Sequence, residues 1–391
     1  MSLSPLEIEV EQRPALLGLS SHEWKVVFIG VSAMIVPSVM PAMVGALAGD
    51  LGFGAERAGY IASANMGAIL VGSLASGMLL LRLSPSLLLT GGLIGMVAGH
   101  LLAIVFPSYG WILGARLVSG FGDGIAAAIC YAMMGRTRSP SRTIAFYAAG
   151  QGLVGAVGMA ILPSMIEVFG WRSLFLLISV VAIPSIFMAH EVAARLDTSS
   201  SRGCGGALKL SAGVAAAAAS IFLFFVGLAA VWGFMQRIGA GHGFSVQLIA
   251  TALSASALAG MCGSLVVGVV AYRLSSRAAA VVGFVLLAMG AYCLLSPNYW
   301  TFLLAIVALN FLWTFQYPFL FRNFAQADRD GQITSITPAI NGLALTVSLA
   351  AAGMLLENIG LAALAAFSVV TAAAGLLLAT FVHRRDACPN N

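Results

Sequence analysis

Charge is what this chain has least of. Only 8% of its 391 residues are Asp, Glu, Lys or Arg, against 60% hydrophobic, and mean hydropathy is +0.99. A soluble domain carries about 25% charged residues, so a water-soluble fold is excluded and a bilayer-embedded one implied. The net charge of +5 is small and scattered, which excludes a nucleic-acid surface. Cysteine is also scarce. Cys130, Cys204, Cys262, Cys293 and Cys388 form no CxxC pair, so neither a disulfide framework nor a metal site is indicated. There is no nucleotide-loop lysine, which leaves ATP-driven chemistry unsupported. His190-Glu191 lacks the second histidine of HExxH. Gly150, Gly152 and Gly155 spell GxGxxG, but inside an apolar run with no strand before it, so they read as close helix packing. No cofactor and no catalytic constellation is implied, and an enzyme is not expected.

What the chain has is apolar runs of about twenty residues, the length a ~30 Å hydrocarbon core demands. Residues 1–23, with Glu7, Glu9, Glu11 and Arg13, lack the features of a cleavable signal and read as a cytosolic tail. Six runs follow, near Trp24–Leu47, Ala58–Leu81, Ser84–Phe106, Tyr109–Met134, Ile144–Phe169 and Trp171–His190. Residues 191–210, rich in Ser, Gly and mixed charge, read as a flexible linker. Six more runs lie near Ser211–Met235, Val246–Tyr272, Ala278–Leu295, Tyr299–Phe321, Ile333–Leu356 and Leu361–Phe381, before a short tail, 384–391. The expected division is a bundle over 24–190 and a second over 211–383.

The fourth run holds two ionisable residues, Arg116 and Asp123. Each costs roughly 2.5–3.5 kcal/mol at membrane depth by insertion scales, so each needs a reason to be there. They are seven apart and share a helix face, with Gly120 and Gly124 on or near it, open to a neighbouring helix or to water. The competing reading is a buried ion pair or packing device. Asp123 is the carboxylate expected deepest in any run, and Arg116 keeps its proton at all accessible pH. His100, in the third run, is expected away from the site, and Asn65, Gln151 and Asn341 are expected to make interhelical hydrogen bonds.

Positive charge sets an orientation. The even-numbered connections and the termini hold fifteen Lys and Arg residues, the odd-numbered connections only Arg57, Arg172 and Arg237, with Arg116 left within the membrane. The positive-inside rule places both termini in the cytoplasm. The two halves also look alike. Gly77 opens GMLLLRLSPSLLL after the second run, and Gly268 opens GVVAYRLSSRAAA after the eighth, each with Gly, four residues, then Arg-Leu-Ser. Such parallel repeats of six helices build one group of transporters.

Several motifs together resemble the major facilitator superfamily. GARLVSGFGDGIAAA (Gly114–Ala128) resembles its fourth-helix pattern, GVVAYRLSSR its loop motif, and GWRSLF (Gly170–Phe175) its turn into the sixth helix. Two departures stand out. Leu81 and Tyr272 occupy the place of the loop motif's usual Asp, and the fifth run lacks the Gly-Pro step of drug antiporters. The resemblance implies an all-α membrane fold of two pseudo-symmetric six-helix bundles around a central cavity. It implies a monomer in a bacterial cytoplasmic membrane, and a role for Arg116 in proton coupling, here paired with Asp123. It makes Gly268, Arg273, Arg277 and Arg82 the loop-motif gating residues.

In that family the first, fourth, seventh and tenth helices line the cavity. The first offers Ser38 beside Pro37 and Pro41, prolines that can free backbone carbonyls. The seventh offers Trp232 and Gln236, one turn apart. The tenth carries Asn310, Trp313 and Tyr317 at i, i+3 and i+7, with Gln316 alongside. Amides and a phenol need hydrogen-bond partners, and indoles supply flat apolar walls. The expected function is secondary transport of a small organic substrate, a carboxylate or aromatic compound, coupled to protons through Asp123. Alternatives are an uncoupled facilitator, a drug or metabolite efflux antiporter, and a transporter-like sensor.

Overall fold

A computed structural model describes residues 19–137, 140–193, 212–270, 275–327 and 337–386, and among them there are helices and no strands. Ten helices are long and apolar enough to cross a bilayer. They are the second (Gly54–Leu79), third (Pro85–Ala103), fourth (Tyr109–Met134), fifth (Pro140–Phe169), sixth (Arg172–Ala193), seventh (Ala212–Gly233), eighth (Val246–Val270), tenth (Tyr299–Ala327), eleventh (Thr337–Asn358) and twelfth (Leu361–Asp386) of the expected runs. The ninth, Ser276–Cys293, is a shorter apolar helix of 18 residues.

The first run is not one helix. It divides into Ser21–Ala33, Ile35–Ser38 and Met40–Ala48, interrupted at Met34 (φ −119°, ψ 22°) and Val39 (φ −116°, ψ 19°). Pro37 and Pro41 explain the breaks, since neither has an N–H for the ladder. Just before the first break, the Val31 carbonyl accepts from the Met34 amide and also from the Gln151 side-chain amide, each at 3.1 Å. The seventh run breaks in a similar place, at Phe234, before a last stretch of about two turns, Met235–Gly241.

The repeated Arg-Leu-Ser has a local reason. Ser84 and Ser275 share one backbone conformation, φ −67° and ψ 145°, and each hydroxyl caps the helix that follows, accepting from the amides of Leu87 and Ala278. Such caps satisfy donors that the first turn leaves open. The first helix begins on a capping box, in which the Ser20 hydroxyl accepts from the Glu23 amide at 3.3 Å and the Glu23 carboxylate accepts from the Ser20 amide at 2.7 Å.

Two seams join the halves, the second helix against the eleventh and the fifth against the eighth. The apolar core shows how far these contacts reach. Toward the face that carries the turns at Asp50, Gly170, Gly243 and Gly360, one continuous cluster takes in residues of both halves. Toward the opposite face, where Ala193 ends the sixth helix and Ala212 begins the seventh, the described core divides. One cluster there is confined to helices of the first half, including Val26, Leu93, Ile129 and Ala189, and another to the second half, around Ala279, Phe315 and Phe319. Among the described residues, the apolar core is continuous between the halves at the turn face and divided toward the other face.

Candidate functional site

The fourth helix is gripped on two sides by backbone contact. A methyl group at Gly124 would overlap the Ile69 carbonyl oxygen of the second helix, and one at Gly72 would overlap that of Phe121. Gly122 meets the carbonyl of Gly92 in the third helix in the same way. Asn65 completes the second-helix contact by donating to the Arg116 carbonyl at 3.0 Å. The face that Gly120 and Gly124 leave open is filled by a helix.

That grip turns Arg116 and Asp123 into the first half. Arg116 is 0% exposed and Asp123 1%. The guanidinium Nη2 lies 2.7 Å from Nδ1 of His100, and the group sits over the Phe175 ring at 4.7 Å. A guanidinium only donates, so His100 accepts at Nδ1 and carries its proton on Nε2. Arg116 Nε and Nη1, His100 Nε2 and both carboxylate oxygens of Asp123 have no hydrogen-bond partner among the described residues. Arg116 and Asp123 do not form an ion pair with each other. A guanidinium and a carboxyl group thus share one buried interior without pairing to each other, and an ionised carboxylate there would cost several kcal/mol unless a partner or a proton arrives.

The other predicted site residues divide into two groups. Trp232 and Trp313 stand together, ring centroids 5.1 Å apart, and Phe225 links Trp313 at 5.5 Å to Tyr317 at 5.7 Å. Ser38, Gln236, Asn310 and Gln316 instead face neighbouring helices. The Ser38 hydroxyl bonds to Gln151 and to the Met34 carbonyl. Gln236 packs on Gly45 of the first run. Asn310 donates to the Ser256 hydroxyl of the eighth helix at 2.9 Å. Gln316 is fully buried against Gly283 of the ninth. The i, i+3, i+7 stripe therefore does not act as one surface: Trp313 and Tyr317 turn toward the seventh helix and Asn310 toward the eighth. Arg82 and Arg277 are exposed and make no ion pair among the described residues. Gly268 falls in the last turn of the eighth helix, and Arg273 lies outside the described residues.

Four residues of interest escape the sequence reading. His100 and Phe175 hold the Arg116 guanidinium. Tyr131 and Tyr147 form an edge-on pair, centroids 5.1 Å apart, and Tyr131 remains 47% exposed. Tyr131 lies in the first half and Tyr317 in the second. A tyrosine near the end of a run ordinarily reads as an interfacial anchor, which hid this pair. For His100 a signal did exist. The third and fourth helices are joined by a short turn, and Gly99 is set against Ala115 and Ser119, which brings position 100 alongside 116.

Residues 26–203 match the family model of the Major Facilitator Superfamily. The first half of the chain is thus similar to the Major Facilitator Superfamily. The match takes in the helices of the first half, and the apolar helices after it continue the same all-α membrane architecture. No curated protein matches the chain. The match, together with the apolar helices, supports a membrane transporter.

Proposed function

We propose that this transporter moves a small organic solute by alternating access and is coupled to protons through Asp123. The observation that carries the proposal is a carboxyl group sealed in the first half, with no partner on either oxygen, on the same helix face as a guanidinium that is itself only partly satisfied. A coupled carrier needs a group whose hold on a proton changes between two conformations. Moving Arg116 toward or away from Asp123 would supply that change, because a nearby cation favours the charged carboxylate and burial disfavours it. The bodies that move would be residues 24–190 and 211–383. The test is whether Asp123→Asn, reconstituted in vesicles, loses accumulation driven by a pH gradient while keeping substrate exchange.

The substrate would lie between Tyr131 on one side and Trp232, Trp313 and Tyr317 on the other. Indole and phenol rings recognise flat apolar bodies and cations. Arg116 is engaged by His100 and Phe175 inside the first half, which makes it a poor contact for a substrate carboxylate. A neutral or cationic ring compound fits this wall better than an organic acid. Trp313→Ala and Tyr317→Ala are expected to weaken equilibrium binding by about tenfold or more, the scale of a lost aromatic contact of ~1.5 kcal/mol. Asn310→Ala, which breaks a bond to the eighth helix, should lower thermal stability more than affinity. Equal affinity losses for all three would make the aromatic wall a packing feature.

The orientation proposed for the bacterial cytoplasmic membrane has both termini and the linker in the cytoplasm, because fifteen of nineteen Lys and Arg residues fall on that side. In intact cells, Cys204 of the linker should react with an impermeant thiol reagent only after the membrane is opened. Reaction from outside would invert the orientation.

A further inference from the structure

On the turn face, where the halves meet, a cavity of about 370 Å³ is lined by Phe53, Glu56, Arg57, Tyr60, Tyr109 and Glu357. Its floor is a contact between the halves. Glu357, in the last turn of the eleventh helix, extends its carboxylate over the first turn of the second helix and accepts from the Ala55 amide at 2.6 Å. Beside it, Asn358 donates to Glu56 Oε2 at 3.1 Å, and the Tyr60 hydroxyl donates to Glu56 Oε1 at 2.9 Å. Both helices are shaped for this approach. Gly54 has φ +75°, and a side chain there would meet the Glu357 carboxylate at 2.8 Å. One turn further in, a methyl group at Gly353 would sit 2.5 Å from the Ala55 carbonyl and one at Gly59 2.6 Å from that of Leu349. Below these, Ser63 donates to the Thr346 carbonyl at 2.6 Å.

We propose that Glu357 is the latch that holds the turn face shut, and so a positioning residue of the transport cycle. A carboxylate on open amides at a helix N-terminus makes charge-assisted hydrogen bonds and meets the positive end of the helix dipole. This one is carried by one half and capped by the other, so it exists only while the halves are together on that face. Opening the face would return Glu357 and the Ala55 amide to water. The opposite face has no such carboxylate in its loop motif, where Leu81 and Tyr272 stand. The cap on the turn face thus biases the protein toward the conformation seen here. Its partners are a backbone amide and a helix end, which no substitution at position 55 other than proline removes.

The inference rests on the alternating-access reading above, but its test uses neither substrate nor proton gradient, so the two can fail separately. In a cysteine-free background, purified protein in lipid nanodiscs would carry one reporter, Ser63→Cys beneath the latch or Tyr131→Cys on the linker side, and be labelled with a bulky maleimide. Glu357→Ala should label about tenfold faster at position 63, the population change expected from losing one charge-assisted hydrogen bond, and more slowly at position 131. Glu357→Gln, which keeps an acceptor but not the charge, should fall between Ala and the parent, and covers the case in which Glu357→Ala does not fold. A structural role alone would speed labelling at both reporters. That result, or unchanged rates at position 63 in both variants, would overturn the latch.

Discussion

Asp123→Asn is expected to abolish accumulation of substrate driven by a pH gradient while leaving counterflow exchange largely intact. The substitution keeps the shape of the side chain and removes its capacity to bind and release a proton. Asp123 is 1% exposed, and its two oxygens find no donor among the described residues, so no partner has to be broken for the amide to fit. The amide is also spared the desolvation cost that a buried carboxylate bears, so the protein should fold and its melting temperature should hold or rise. Exchange of labelled for unlabelled substrate needs only the cavity and the moving halves, and both survive. The two assays therefore separate coupling from binding. If the Asn variant still concentrates substrate in response to a pH gradient, the coupling group is elsewhere. If the parent itself never responds to the gradient, the protein is an uncoupled facilitator, and the buried pair only shapes the first half. Efflux and uptake are distinguished by the sign of the same gradient experiment.

A second large effect is expected from a methyl group. Gly124→Ala would place a carbon against the Ile69 carbonyl oxygen, and Gly72→Ala one against the Phe121 carbonyl, both backbone atoms of a neighbouring helix. Backbone cannot swing aside as a side chain can, so the second and fourth helices would have to part along their length. Overpacking of this kind costs typically 1–3 kcal/mol, and more where backbone must move, so these variants should sit near the upper end or beyond it. The expected result in mild detergent is a loss of monodisperse protein and a melting temperature lower by several degrees. Gly95→Ala is the matched control. It lies in the third helix with open space where the methyl would point, and Ala is favoured over Gly in a helix interior by roughly 0.5–1 kcal/mol. It should leave the melting temperature unchanged or raise it slightly. Equal tolerance at 95 and 124 would mean that the helix contact is looser than described.

The sequence by itself determined what depends on local composition and short-range pattern. Scarce charge and runs of about twenty apolar residues dictate membrane helices, because a bilayer core leaves backbone polar groups no partner except one another. The repeated Arg-Leu-Ser predicted two related halves, and in each the serine caps the helix that follows. The buried Arg116 and Asp123 were conspicuous by cost alone. Direction was decided only by tertiary structure. A helix wheel puts Arg116 and Asp123 on one face, but which way that face turns depends on Gly72, Gly92, Gly122 and Gly124 meeting backbone from two other helices. The same limit applies to the tenth helix, where a polar stripe read as one surface is shared between helix contacts at Asn310 and an aromatic wall at Trp313 and Tyr317. His100 beside Arg116, Tyr131 against Tyr147, and Glu357 over Ala55 are contacts between segments distant in sequence or joined by a turn whose register is not fixed by pattern. Hydrophobicity specifies that a helix is buried and is nearly blind to its neighbours, since lipid and protein interior are equally apolar. The rotation of each helix is set by steric fit and a few hydrogen bonds, and these exist only once the helices have met.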